Sequence, residues 1–107
     1  MKETIKPDIL IGGAQFPLSQ MKISFEVGSY KRGELVEIDE VTNNIKKCTD
    51  VTKMYGIVVS DTEIEVKGVA EIYVTGVFNF NGMEIGVLDK EKIKIIGRKI
   101  GMFFSRT

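Results

Sequence analysis

From residue 21 to residue 27 the chain alternates without a break, with Met21, Ile23, Phe25 and Val27 apolar and Lys22, Ser24 and Glu26 polar. A period of two is that of a strand with one buried face. Gly28 and Ser29 turn the chain, and Lys31-Arg32-Gly33 leads into a second short strand over residues 34–38. Residues 39–50 hold Asp39, Glu40, Asn43, Asn44, Lys46, Lys47 and Asp50, a polar connection built as a hairpin or a loop. Residues 55–59 are β-rich and apolar throughout, as in a central strand buried on both faces. Ser60-Asp61-Thr62 is turn chemistry, and residues 62–66 form a short edge piece. The longest strand signal runs over residues 69–80, where Gly76 marks a bulge or bend; Asn81-Gly82 then turns the chain.

The period then changes to that of a helix. Ile93, Ile96 and Ile100 make one apolar stripe, with Lys92, Lys94, Arg98 and Lys99 on the other faces. Asp89 is the N-cap candidate, Glu91 suits the first turn, and Gly101 fits the position just past the end. The predicted helix spans 89–100, about 18 Å long. Met102-Phe103-Phe104 follows as a terminal strand. Residues 21–107 thus read as one mainly β domain with a C-terminal helix.

Residues 1–20 keep neither period. Pro7, Gly12, Gly13 and Pro17 punctuate them, which suggests a flexible N-terminal arm. Yet Ile5, Ile9, Leu10, Ile11 and Phe16 are too apolar for a purely solvated tail. They dock on a partner or complete the domain's own core.

The length of 107 residues fits one domain, and 43% hydrophobic with 28% charged residues is ordinary globular composition. Fifteen cations balance fifteen carboxylates, so no global field draws the chain to nucleic acid or to an acidic membrane. Cys48 is alone, which excludes an internal disulfide and suits synthesis in a reducing cytoplasm. No signal-peptide pattern and no membrane-length apolar run is present.

Candidate chemistry is sparse. The chain has no histidine, so the usual nucleophile–histidine pairs and the commonest metal ligand are missing. Gly12-Gly13 lacks the Gly-Lys-Ser/Thr ending of a phosphate loop. The pairs Glu63/Glu65 and Asp39/Glu40 read as solvated faces. Cys48 stands beside Lys46 and Lys47, cations that lower a thiol pKa. The expectation is no enzyme, no cofactor, no metal and no small-molecule substrate. Residues 89–107 carry six cations (Lys90, Lys92, Lys94, Arg98, Lys99, Arg106) against Asp89 and Glu91. With no aromatic interleaved on the helix, this suits a solvated face or an acidic protein partner better than nucleic acid.

The order of these pieces resembles a known family. Lys31-Arg32-Gly33-Glu34-Leu35-Val36 comes first, then Tyr55-Gly56-Ile57-Val58-Val59-Ser60-Asp61. Tyr73-Val74-Thr75-Gly76-Val77-Phe78-Asn79 follows, and the chain closes with a helix and Gly101-Met102-Phe103-Phe104. Over residues 20–104 this is similar to the lambda-type head decoration proteins, the capsid cement proteins of tailed bacteriophages. The resemblance implies a β-clip-like small barrel or sandwich with one packed helix. It implies a homotrimer on the outer surface of the expanded phage capsid, bound to the major capsid protein and stabilising the shell against internal DNA pressure. In that reading the arm pairs with capsid backbone by strand addition, through Ile5, Ile9, Leu10, Ile11 and Phe16. The trimer interface falls to Tyr73, Phe78, Phe80, Met102 and Phe103, with ordinary core packing as the competing role for each. Two other readings stay open: a tail or connector component, or a small β-barrel binding module.

Overall fold

A computed structural model of the chain describes residues 10–13, 17–66 and 68–105. Nine strands and one helix follow in order: β1 (Ile11–Gly13), β2 (Ser19–Phe25), β3 (Gly28–Tyr30), β4 (Leu35–Ile38), β5 (Ile45–Lys47), β6 (Met54–Val58), β7 (Thr62–Ile64), β8 (Gly68–Asn79), α1 (Lys90–Ile100) and β9 (Met102–Ser105). Short 3-10 turns lie at Val51–Lys53 and Phe80–Gly82.

Five strands close on themselves in the order β8-β2-β5-β4-β6, with β6 returning to β8. Closure removes the open edges that a five-stranded sheet would otherwise present. Every one of these strands sends side chains to a single cluster: Phe25, Val36, Ile45, Val58 and Ile72, with Met21, Ile23, Ile38, Ala70 and Val74 partly buried against it. Convergence from all five strands identifies this cluster as the barrel interior. Strands β3 and β7 form a separate antiparallel ribbon, and its Tyr30 and Ile64 join the same cluster. The Tyr30 ring meets Phe25 edge-on at 4.8 Å, and its hydroxyl donates to the Glu26 carbonyl at 2.8 Å.

A second cluster lies outside the barrel wall. Leu35, Met54, Ile57 and Tyr73 come from the outer faces of β4, β6 and β8. Leu10, Phe78, Phe80, Ile93 and Met102 cover them. Strands β4 and β6 are therefore buried on both sides, as the continuous apolar run at residues 55–59 requires; Ile57 and Val58 point opposite ways and both are fully buried.

Strand β8 is the spine. It pairs antiparallel with β2, β6 and β1, and parallel with β9. Gln20 faces Tyr73 and Ser19 faces Thr75, so one residue of β8 is extra there. Gly76 follows with φ 145°, in backbone space that side chains disfavour, and its N–H donates to Gly101 at 3.1 Å. The bulge expected at this glycine lies two residues earlier, at Val74, and together with Gly76 it hands β8 from the barrel to β1 and β9.

The helix is built as its sequence predicts at both ends. The Asp89 carboxylate accepts the N–H groups of Glu91 and Lys92, and Gly101 takes the left-handed conformation at φ 83°. The buried stripe differs from the expected one: Ile93 and Gly97 are buried and Ile96 half-buried, while Ile100 is exposed. Gly97 explains the rotation. A Cβ there would lie 2.7 Å from the Met102 carbonyl oxygen, so the helix rests on β9 backbone at that point.

The polar connection after β4 is a hairpin. Asp39 accepts the N–H groups of Val41 and Thr42, which hold its carboxyl below the ordinary range, and Asn43 turns the chain at φ 63°. At its base sits Glu37, the one buried charged residue among those described. Its carboxylate accepts the N–H groups of Thr49 and Asp50 at 2.9 and 3.0 Å, with Lys46 at 3.9 Å.

Candidate functional site

The residues singled out for attachment separate in the structure. Ile5, Ile9 and Phe16 lie outside the described residues. Leu10 and Ile11 do not belong to a free arm. Leu10 is 1% exposed, its carbonyl accepts the Asn79 N–H at 2.8 Å, and Ile11 pairs with Phe78. The domain therefore begins by residue 10 rather than at residue 21, and β2 already starts at Ser19. Leu10 completes the domain's own core, one of its two predicted roles.

The proposed interface aromatics meet a similar correction. Tyr73, Phe78, Phe80 and Met102 are each 5% exposed or less, packed together outside the barrel wall. Side chains buried to this extent offer another subunit almost no surface in this conformation. Phe80 stacks on Phe104 at 5.3 Å and Phe78 tilts against both Tyr73 and Phe104. Phe103 alone of the five remains half-exposed, because it lies on the other side of β9 from Met102 and Phe104.

Cys48 also departs from expectation. Its thiol pKa is pushed up to about 12, first by burial and then by the Glu37 and Asp50 carboxylates. The lysines that were to lower it are engaged elsewhere. Lys47 pairs with Glu34 at 2.7 Å and bonds the Ser29 carbonyl, and Lys46 approaches Glu37 and Asp39. Among the described residues no three His, Cys, Asp or Glu side chains gather as a metal site, and no helix is long and apolar enough to cross a membrane.

The surface that remains carries open grooves and exposed apolar side chains. On one side, α1 and β9 frame a groove of about 360 Å³ lined by Lys94, Ile95, Arg98, Phe103 and Phe104. Ile95 is 60% exposed on its rim, with the two cations one helical turn apart beside it. A smaller apolar groove runs between Met21, Tyr55, Val74, Thr75 and Ile100. On another side, the β3–β7 ribbon and the turn after it carry Asp61, Glu63 and Glu65 beside Lys31, with Val66 and Val69 exposed at 78% and 62%. Sequence reasoning saw the basic helix but missed Ile95 and the exposed valines. A single apolar residue in a charged run carries no periodic signal, and only the closed barrel determines which face it takes.

Arg32 ties the barrel rim together. Its guanidinium donates to the Val59 carbonyl at 2.7 Å and to the Tyr73 hydroxyl at 3.1 Å, while its backbone N–H donates to Asp61. The Lys31-Arg32-Gly33 stretch is thus a structural clasp. Gly33 completes it at φ 90°, where a Cβ would strike the Gly82 carbonyl oxygen at 2.3 Å.

No family model matches the chain, and no curated protein matches it significantly.

Proposed function

We propose that this chain is a capsid decoration protein of a tailed bacteriophage. It binds as a homotrimer to the outer surface of the expanded head, contacts the major capsid protein, and holds the shell against the pressure of packaged DNA. One observation carries the reading. The strongest motif of the resemblance, Tyr73–Asn79, and its closing stretch, Gly101–Phe104, fold as one unit, with Gly76, Val77 and Phe78 in parallel register with Met102, Phe103 and Phe104. Motifs that are distant in sequence and adjacent in space are what a shared fold requires.

The proposed role is mechanical and uses no catalysis. A small closed barrel with a second cluster on its outer wall is a rigid platform, and three copies on one axis convert weak attachments into a strong one. Attachment falls to the residues before Leu10, with Ile5 and Ile9 as their apolar members. Strand addition to capsid backbone is the proposed mode.

The test is direct. Purified protein is added to expanded heads that lack decoration, and the heads are imaged. Density at three-fold positions is expected; bare heads would overturn the proposal. A chain lacking residues 2–9 keeps Leu10 and β1, stays folded, and fails to decorate. If that shortened chain decorates normally, attachment does not run through those residues.

A further inference from the structure

The ring of five strands is thinnest between β2 and β5, which share a single pair, Phe25 with Ile45. Just past it the Glu26 N–H donates to the Ile45 carbonyl at 2.8 Å. Backbone groups alternate along a strand, so Ser24, Lys22 and Gln20 turn theirs to the same edge as Glu26. Before Phe25 no strand of the described residues lies on that edge, and the N–H and C=O groups of Gln20 and Lys22 have no partner there. The other edge of β2 is paired with β8 from end to end.

Apolar side chains line the same opening. Phe25, Val36, Ile45, Val58 and Ile72 are sealed inside the barrel, but Met21, Ile23, Ile38, Tyr55 and Val74 of the same cluster stay half-buried. A groove of about 280 Å³ runs in among Met21, Tyr55, Val74, Thr75 and Ile100. An added strand completes both features at once: its backbone meets the open edge, and its alternate side chains cover the interior.

Nine residues precede Leu10, and Lys6-Pro7-Asp8-Ile9 suits this edge in one orientation. Pro7 and Ile9 face the interior, because Lys6 and Asp8 would bury charge there. Pro7 has no N–H to donate. In a parallel pair the inward residues would bond to β2, whereas in an antiparallel pair they turn their backbone away from it. Only the antiparallel direction therefore spares Pro7. Asp8 then stands opposite Lys22, while a shift of two residues would set Lys6 there. The segment cannot reach its own β2. Leu10 is fixed at Asn79 and Met21 faces Ile72, a separation of about 20 Å along β8, whereas Ile9 and Leu10 are about 3.8 Å apart at Cα. The β2 strand of a second copy is the poorer occupant, since antiparallel self-pairing centred on Lys22 sets like charges together.

We infer that residues 6–9 of one copy add as an antiparallel strand to the open edge of β2 in a neighbouring copy. Ile9 and Pro7 lie beside Met21 and Ile23 over the barrel mouth, and Asp8 meets Lys22. Each copy gives one strand and receives one, a heterologous contact that a closing rotation turns into a ring. The inference rests on the homotrimer of the proposed function and deepens it. One edge of the added strand holds the trimer, and the backbone of Ile9 with the Pro7 carbonyl faces the other edge, where capsid backbone adds.

Cross-linking tests this on the full chain in a Cys48→Ser background. Opposed residues of such a pair stand about 5.5 Å apart at Cα, inside the disulfide range of about 4.4–6.8 Å. Chains carrying Asp8→Cys are mixed with chains carrying Lys22→Cys, an exposed position, under oxidation by glutathione disulfide. The expected product is a disulfide dimer with one chain of each kind, and a chain carrying both substitutions should give a covalent trimer. Asp8→Cys mixed with Val87→Cys, a fully exposed position, controls for chance collision. Cross-links no more frequent than in that control, or a doubly substituted chain that closes only on itself, would overturn the inference. So would a wild type still monomeric at about 1 mM, or a chain lacking residues 2–9 that associates as tightly as wild type in sedimentation equilibrium, where a loss of about tenfold or more is expected. Head decoration by the wild-type chain is scored separately. Decorated heads without the cross-link reject only this contact, whereas the cross-link with bare heads keeps the contact and rejects the proposed function.

Discussion

The rings of Tyr73 and Phe78 touch, with centroids 5.7 Å apart, although the two residues stand at an odd spacing along one strand. An unbroken strand would send them to opposite faces. The extra residue between Tyr73 and Thr75, followed by Gly76 in its glycine conformation, reverses the parity. Tyr73 then serves the outer wall of the barrel, and Phe78 serves the layer that covers it. Replacing Gly76 with Ala tests this directly. Its Cβ would lie 2.8 Å from Leu18 and 3.1 Å from Phe78, in backbone space that costs a side chain about 1–3 kcal/mol. Denaturant unfolding should show a loss of that size, and an unchanged midpoint would contradict the account.

Gly97→Ala sets two effects against each other. Alanine favours an exposed helix interior over glycine by about 1 kcal/mol. Here the new Cβ would stand 2.7 Å from the Met102 carbonyl and 2.6 Å from the Phe104 ring. The ring can turn, but the carbonyl is fixed by β9, and overpacking costs about 1–3 kcal/mol. The expected outcome is a net loss of stability in the protein and a gain of helicity in an isolated peptide of residues 89–101. A stabilised protein would show that the helix can lift from β9 at no cost.

Leu10→Ala should destabilise the domain by about 2–5 kcal/mol, the range for a leucine removed from a packed core. Thermal or chemical unfolding reads this. Deleting residues 2–9 should leave stability nearly unchanged. Equal effects from the two would mean that the boundary between core and attachment segment does not fall at Leu10.

Glu37 anchors the backbone after β5. Glu37→Ala leaves the Thr49 and Asp50 N–H groups without their acceptor, a loss of about 1–3 kcal/mol. Glu37→Gln keeps an acceptor oxygen and should lose less. The approach of Lys46 at 3.9 Å adds little, because that amine is well exposed. If Gln proved as harmful as Ala, the charge rather than the hydrogen bonds would be what holds the turn.

Cys48 supplies a pH dependence with a definite sign. The folded thiol stays protonated to about pH 12, against an ordinary value of 9.0. A raised folded pKa stabilises the fold fully below the unfolded value, and that contribution is lost as pH climbs towards the folded one. Stability should therefore decline above pH 9 more in the wild type than in Cys48→Ser. Alkylation by iodoacetamide at pH 8 should be slow in native buffer and fast in denaturant. Rapid native labelling would show that the thiolate is accessible.

Much of the fold is legible in the sequence. The alternation in residues 21–27, the double-sided run at 55–59 and the capped helix after Asp89 each carry their own local signal. Strands β3 and β5 did not, because three-residue strands such as Gly28–Tyr30 are too short for a period and Gly28-Ser29 reads equally as a turn. Strand β1 was hidden for a different reason. Its pairing is entirely non-local, to Val77 and Phe78, and Gly12-Gly13 has no strand propensity of its own. The interface residues were misplaced because an aromatic strand looks alike whether its cover is a second subunit or the chain's own helix. Here α1 and β9 supply that cover.

Strands β1 and β9 flank the same stretch of β8 and run in opposite directions. Leu10 and Ser105 consequently lie on either side of Asn79. Two interstrand spacings separate them, about 10 Å. A short peptide linker would bridge that gap, so the domain is suited to circular permutation, with new ends cut at the exposed 39–44 turn.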